Sequence, residues 1–400
     1  MVGHPPGLAE GRALQAAPLT PAAARLLLSD AGRAAVAQAS ASDLTDAARV
    51  TTATALGAAL GPELGPLALE QALLRRRAAA KHPRGGELWW TAEALEQSSS
   101  YAVAVHRVGR FSGPVVDLCC GVGGDLLPLA AAHGSAAGVD LDEARLLLAG
   151  ANARVLGLDV ALARADVTRL ALPPDARVFV DPARRSGRGR VFDPRLYSPR
   201  LDEVLAWRVR ELGVKVAPGI DHDALPADVE VELVSLRGDV KEAVIWGGDA
   251  RRGVARTATL LPSGDALSSS EAPVPAVRPP GRWLLEPDGA VVRAHLVAEL
   301  AERLGGWLLD ATIAYVAADE PVPTPFGRWY EVLEVMPFSL KRLRARLREL
   351  DAGTLVVKKR GTAVEPEQLR RQLRLTGSVE TTVVLTRSAG AQVVLVVRPV

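Results

Sequence analysis

The segment VVDLCCGVGGD, from Val115 to Asp125, joins an acid at the end of an apolar run to three closely spaced glycines, Gly121, Gly123 and Gly124. Glycines let a backbone come close to a ligand, and a strand that ends in such a turn is where doubly wound α/β folds hold nucleotides. The dinucleotide fingerprint GxGxxG serves a pyrophosphate. Here Asp117 stands four residues ahead of Gly121, which points to a cationic ligand instead. A side chain at Gly123 is then expected to fill the ligand's space. Further acids close later apolar runs: Asp140 in AAGVDLD, Asp166 in ARADV and Asp181 in VFVDPARR. Any one of them has an ordinary reading as a helix cap or loop residue; four at corresponding strand ends favour a shared ligand edge.

These residues need a scaffold that brings strand ends to one edge. VVDL, AAGVD, ARVFVD and VKVAP read as strands, helical stretches cover Asp142 to Leu156 and Leu201 to Leu212, and VEVELVSL with EAVIWGG reads as a closing antiparallel pair. That alternation is the pattern of a parallel sheet with crossover helices. Upstream, Leu19 to Lys81 is rich in Ala and Leu at helical spacing, with breaks at Pro21, Gly61-Pro62 and Gly65-Pro66. Arg75, Arg76, Arg77 and Lys81 close a helix there, and a solvated helix end is favoured over an RNA contact. Thr91 caps a helix from Ala92 with Glu93 in its first turn. Downstream, Leu261 to Pro280 reads as a Ser-, Pro- and Gly-rich linker. A helical unit around Ala294 to Leu304 and a strand, helix, strand, helix, strand, strand module follow. The expected domains are 1–112, helical; 113–262, the α/β core; 263–325, a linker with a small ferredoxin-like unit; and 326–400, an α+β module.

At 400 residues the chain suits two or three domains. Lys and Arg number 48 against 46 acids, so attraction to a polyanion must come from where charges lie and not from the net +2. The two cysteines, Cys119 and Cys120, are adjacent, which excludes a disulfide framework and a CxxC zinc site. They could offer a thiol nucleophile, though packing beside the turn is the favoured reading. The six histidines show no HExxH spacing and no metal is expected. The N-terminus lacks a signal-peptide pattern, and apolar stretches such as WLLDATIAYVAA are short and carry an acid. A cytoplasmic location without membrane insertion is the expectation.

The acid and GxG turn resembles the first motif of class I S-adenosylmethionine-dependent methyltransferases, which implies a Rossmann-like doubly wound core. By that resemblance Asp117, Cys119, Gly121, Gly123, Asp140, Leu141, Asp166 and Val167 contact S-adenosylmethionine, with Asp140 on the ribose hydroxyls and Asp166 at the adenine amino group. DPARR occupies the place of the (D/N)PP(Y/F/W) motif of amino-group methyltransferases. Asp181 and Pro182 would hold the target nitrogen. Ala183 and Arg184 replace the second proline and the aromatic residue, and Arg184 with Arg185 would grip a phosphate. Over nearly the whole chain, RRRAAAKHP, WWTAEALEQSSSYAVAVHR, VVDLCCGVGGD, VFVDPARR, KVAPGID, VSLRGDVKEAVIW and LVVKKRG resemble a bacterial methyltransferase group with a C-terminal THUMP-like module. WWTAEALEQ is also similar to the entrance segment of trimethylguanosine synthase. On that analogy Trp90 and Gln97 touch ligand; the equal alternative is that both tryptophans pack the helical domain on the core.

Three functions remain open at this point: N-methylation of a nucleobase in structured RNA, methylation of a small molecule, and non-catalytic RNA binding on a retained methyltransferase shell. The basic residues Lys341, Arg342, Arg344, Arg346 and Arg348, with Lys358, Lys359 and Arg360, favour an RNA partner, while their plain reading is solvation of an amphipathic helix. Loss of cofactor binding on purified protein would single out the third. Oligomeric state leaves no mark in the sequence.

Overall fold

The structure, a computed structural model, describes residues 18–184 and 196–400. The chain divides into two units, the first ending at Glu211 and the second running from Leu212.

In the first unit, Thr20 caps α1 (Pro21–Leu28) and Ser29 closes it while capping α2 (Asp30–Ser40). The long helical segment α3 (Arg49–Ala78) breaks at Gly61, where φ is 83°, just ahead of Pro62. The second expected break is absent: the helix runs on through Gly65 and Pro66. Then come α4 (Ala92–Gln97), capped by the Thr91 hydroxyl, and α5 (Tyr101–Val108). Lys81 does not point to solvent. Its Nζ donates to the carbonyls of Leu95, Glu96 and Ser98, capping the C-terminal end of α4.

Four parallel strands follow, β1 (Val115–Leu118), β2 (Ala136–Asp140), β3 (Val160–Arg164) and β4 (Arg177–Val180), in the order β4-β1-β2-β3. The crossovers are α6 (Leu126–His133) and α7 (Glu143–Leu156), the latter capped by Asp142. Leu27, Val36, Leu56, Leu74, Leu88, Trp89 and Trp90 share one buried cluster with Val122, Leu148 and Ala151, so the helical segment packs onto α7 and the glycine turn. After β4, β5 (Ala183–Arg184) pairs antiparallel with β6 (Tyr197–Ser198). The helix expected over Leu201–Leu212 ends early, as α8 (Leu201–Leu205). Its remainder is drawn into extended structure: Arg210 N donates to Ala176 O, and the buried Glu211 carboxylate accepts from Ser112 N at 3.0 Å.

The second unit contains β7 (Glu211–Val216), β8 (Glu230–Leu236), β9 (Asp239–Gly248), β10 (Arg256–Leu261) and β11 (Asp265–Ser268), in the order β7-β9-β8-β10-β11. β8 and β9 are the expected antiparallel pair. β11 lies within the stretch read as a linker, paired antiparallel with β10. The next elements are β12 (Trp283–Pro287), α9 (Gly289–Arg293), α10 (Val297–Arg303), β13 (Trp307–Leu308), β14 (Val316–Ala318) and β15 (Gly327–Pro337). α11 (Leu340–Glu349), β16 (Ala352–Lys359), α12 (Pro366–Leu373), β17 (Val379–Ser388) and β18 (Ala391–Pro399) complete the chain. The strands of 283–318 and of 327–399 form one seven-stranded sheet, β13-β14-β12-β15-β18-β17-β16. Leu343 and Leu347 of α11 and Leu369 and Leu373 of α12 pack on Val383, Leu385, Val394 and Val396 of that sheet. Among the described residues no helix is long and apolar enough to cross a membrane.

One buried ion pair joins a helix to the glycine turn. Arg107 of α5 meets Asp125 with side chains 2% and 9% exposed, its guanidinium lies 4.9 Å from the centre of the Phe179 ring on β4, and Nη1 reaches Ser99 Oγ at 3.3 Å. Removing one partner leaves a buried charge without its counterion. Arg107→Leu should therefore cost about 3–5 kcal/mol in urea unfolding, and a loss below about 1 kcal/mol, the range of a surface pair, would show that the pair does not anchor the turn.

Candidate cofactor-binding turn and active site

The turn after β1 is held from the neighbouring strand β2. Cys119 N and Cys120 N both donate to Val139 O, at 2.8 and 3.1 Å, and Gly123 N donates to Cys120 O at 2.9 Å. Asp140, at the end of β2, accepts from Gly121 N on one carboxylate oxygen at 2.8 Å and from Asp142 N on the other at 2.9 Å. The close approach needs Gly138 on β2: a Cβ there would lie 2.9 Å from Cys120 Sγ and 2.8 Å from Leu126. Asn152 of α7 ties the turn to the helical segment, donating to Val122 O and Trp89 O and accepting from Trp89 N.

Two glycines in the turn do different work. Gly123, at φ 97°, would bring a Cβ to 3.1 Å from Leu127, so any side chain there is strained and crowds the protein's own helix. Gly121, at φ 56°, faces open space.

The four strand-end acids converge electrostatically on one thiol. Burial is the largest cause raising the Cys119 thiol well above the usual range, and the negative charges of Asp140, Asp117, Asp181 and Asp166 add to it. Burial, then Asp117 and Asp140, does the same to Cys120. Neither cysteine is a thiolate at neutral pH, which removes the chemistry a nucleophile needs. Asp166 caps a short 3₁₀ turn over Val167–Arg169 and accepts from the Thr168 hydroxyl at 2.7 Å and its N–H at 3.0 Å; those bonds hold its carboxyl below the usual range.

This edge fits a cationic nucleoside. A field of four carboxylates favours a sulfonium and an ammonium, Gly121 leaves room beside the backbone, and Leu141 is 62% exposed next to Asp140, offering apolar surface to a flat ring. S-adenosylmethionine meets all three demands. The residues expected to contact it, Asp117, Cys119, Gly121, Gly123, Asp140, Leu141, Asp166 and the buried Val167, all stand on the turn and the adjoining strand ends.

Asp181 follows β4, its N–H directed at Leu118 O at 3.4 Å, and Pro182 beside it is buried. Arg184 belongs to β5, opposite Tyr197; its side chain and all of Arg185 lie outside the described residues. Trp90 is seated in the core, with its indole N–H donating to Gly85 O at 3.0 Å and its backbone held by Gln71. Gln97 is exposed and donates to Glu93 at 3.2 Å, one residue before Ser98, whose Cβ lies 3.3 Å from where a Gly124 Cβ would be. In the second unit Lys358 pairs with Glu286 at 2.9 Å and Lys359 with Glu365 at 2.6 Å. Arg360 donates to Ala314 O and Pro287 O, its guanidinium 5.1 Å from the Tyr315 ring centre. Arg107, Gly138 and Asn152 escaped the sequence reading. The available signals were single polar or small residues on otherwise apolar faces.

Gly121→Leu should abolish S-adenosylmethionine binding in calorimetry while costing the fold only the left-handed strain, about 1–2 kcal/mol. Gly123→Ala should lower thermal stability further because its Cβ also meets Leu127, and equal cofactor affinity in wild type and Gly121→Leu would remove the turn from the site. Asp140→Ala should weaken binding by roughly 1.5–3 kcal/mol. Iodoacetamide at about pH 8, near the ordinary thiol pKa of about 8.5, should leave both cysteines unmodified in the native protein and modify both after denaturation. Rapid native alkylation of Cys119 would contradict its protonated state.

Residues 327–399 match the THUMP domain-like family, and residues 20–78 match a domain of unknown function. An uncharacterized S-adenosylmethionine-dependent methyltransferase of Mycobacterium tuberculosis, strain CDC 1551 / Oshkosh, is 43% identical over 334 residues, covering 80% of this chain and 92% of its own. Its counterpart in strain ATCC 25618 / H37Rv matches to the same extent. The crystal structure of a methyltransferase candidate from Porphyromonas gingivalis W83 shares the fold, with a TM-score of 0.72 at 22% identity over 94% of this chain and 97% of that one. With the acid and glycine turn in place and this kinship across four-fifths of its length, the chain belongs to the S-adenosylmethionine-dependent methyltransferases and carries a THUMP-like domain at its C-terminus.

Proposed function

We propose that this enzyme methylates a nitrogen of a nucleobase in structured RNA, with Asp181 and Pro182 holding the acceptor. The observation that carries the reading is that Asp181 directly follows β4, the parallel neighbour of β1, with its N–H directed at Leu118 O, which brings an acceptor-only side chain to the strand end where the turn begins. The cofactor supplies a methyl group made electrophilic by a sulfonium. The protein's part is placement: Asp181 accepts a hydrogen bond from the amine, aims the nitrogen lone pair, and takes up the proton that the nitrogen loses as the new N–C bond forms. The Pro182 carbonyl is the second acceptor for that amine. No covalent enzyme intermediate is called for, in keeping with thiols that stay protonated.

RNA as the substrate class is supported by the THUMP-like domain, which resembles modules of RNA-modifying enzymes, and by the arginines of α11 and α12. A small-molecule methyltransferase has no evident use for either.

The test is transfer of radiolabelled methyl groups from S-adenosylmethionine to RNA extracted from cells lacking the gene. Wild-type enzyme should label one RNA species, and Asp181→Ala should lose at least about 100-fold in turnover with cofactor affinity unchanged, since its contact is with the acceptor. Label appearing only in the small-molecule fraction would reject RNA as substrate, and near-normal turnover by Asp181→Ala would remove it from the mechanism.

A further inference from the structure

Helices α11 and α12 bury their leucines against the same strands, and between them lies a cavity of about 530 Å³. Its walls are Arg344 and Arg348 of α11, Gln368, Arg371 and Gln372 of α12, and Arg374, the residue that closes α12. Residues spaced three or four apart share a helix face, so Arg344 with Arg348, and Gln368 with Arg371 and Gln372, present two polar faces to one groove.

The charges in this groove differ from those around it. Arg346 pairs with Glu334 and Glu349, and Arg370 pairs with Glu367. No carboxylate lines the groove, and among the described residues Arg348, Arg371 and Arg374 make no ion pair. Arg344 is held only by the Gln372 carbonyl, and its Nε is buried with no hydrogen-bond partner. Guanidiniums gathered without counterions repel one another, and an anion threaded between them relieves the repulsion. Lys358, Lys359 and Arg360, the basic candidates at the end of β16, already engage Glu286, Glu365 and backbone carbonyls.

We propose that the groove between α11 and α12 is the phosphate-binding site of the THUMP-like domain, in which Arg344, Arg348, Arg371 and Arg374 hold successive phosphates of the RNA substrate. The assignment rests on the RNA reading above and adds its location. Planar guanidiniums match phosphate oxygens two at a time, and the Gln368 and Gln372 amides can donate to and accept from ribose and base edges, which a purely cationic patch cannot.

Fluorescence anisotropy of the full chain with a fluorescein-labelled RNA stem-loop tests this, across about 50 to about 200 mM salt. The double variant Arg348→Gln, Arg371→Gln should bind at least about tenfold more weakly at low salt, with a log–log salt slope shallower by about 1.4 to 1.8, the loss of two phosphate contacts. Unchanged cofactor affinity and melting temperature confirm that the variant is folded. The double variant Lys358→Gln, Lys359→Gln should keep its affinity within about threefold, a surface-charge effect of under 1 kcal/mol. Wild-type affinity in the arginine variant, or the larger loss in the lysine variant, overturns the groove and leaves the RNA reading standing. Failure of the wild-type protein to bind at low salt overturns the RNA reading and this site with it. Competition by polyglutamate as effective as by unlabelled RNA also overturns the assignment, because it would mark a site for any polyanion.

Discussion

Arg107 and Asp125 are both withdrawn from water and paired, so the buried Asp125 carboxylate has Arg107 as its counterion, and the positions of α5 and the end of the glycine turn are tied together by that need. Such a pair adds little net stability compared with well-packed apolar side chains; what it fixes is geometry. The guanidinium also covers Phe179 of β4 and reaches Ser99, so one side chain links the segment before β1, the turn after it and the strand beside it. With the end of the turn fixed at Asp125 and its start pinned to Val139, the backbone between has little freedom, and Gly121 comes to rest against Asp140.

That placement decides the electrostatics. Four acids brought to the ends of parallel strands repel one another, and burial first, then their charges, raise the Cys119 thiol, as burial with Asp117 and Asp140 raises that of Cys120. A cation relieves the repulsion. Burial and the field of the acids together explain why two adjacent cysteines can stand beside a reactive cofactor without competing for its methyl group: protonated thiols are poor nucleophiles. Asp166 has different partners from Asp140: the Thr168 hydroxyl and N–H satisfy its Oδ1, and Arg169 Nε lies 3.5 Å from its Oδ2.

The turn and the strand-end acids were legible because their signals are local: apolar runs of strand length, glycines at fixed offsets, and an acid at each run's end. The Thr91 cap, the β8 and β9 pair and the alternation of the C-terminal module were visible for the same reason. What the sequence hid depends on distant partners. The helix expected to Leu212 stops at Leu205 because Ala176 and Ser112 capture Arg210 and Glu211. Lys81 read as a solvated cation until α4 supplied carbonyls for it, and Lys358 and Lys359 read as free until Glu286 and Glu365 came into range. Gly121 and Gly123 look alike in a motif; only Leu127, the second residue of the next helix, distinguishes the one that faces open space from the one that does not.

The account stands on the claim that the edge formed by Asp117, Gly121, Asp140 and Leu141 receives the adenosine of S-adenosylmethionine. A crystal structure of the protein with S-adenosylhomocysteine tests it most directly. The account predicts ribose hydroxyls donating to the Asp140 carboxylate, the adenine ring over Leu141 and the Gly121 backbone in van der Waals contact with the homocysteine portion. A nucleoside bound elsewhere, with Asp140 still engaged only by Gly121 and Asp142, would contradict it.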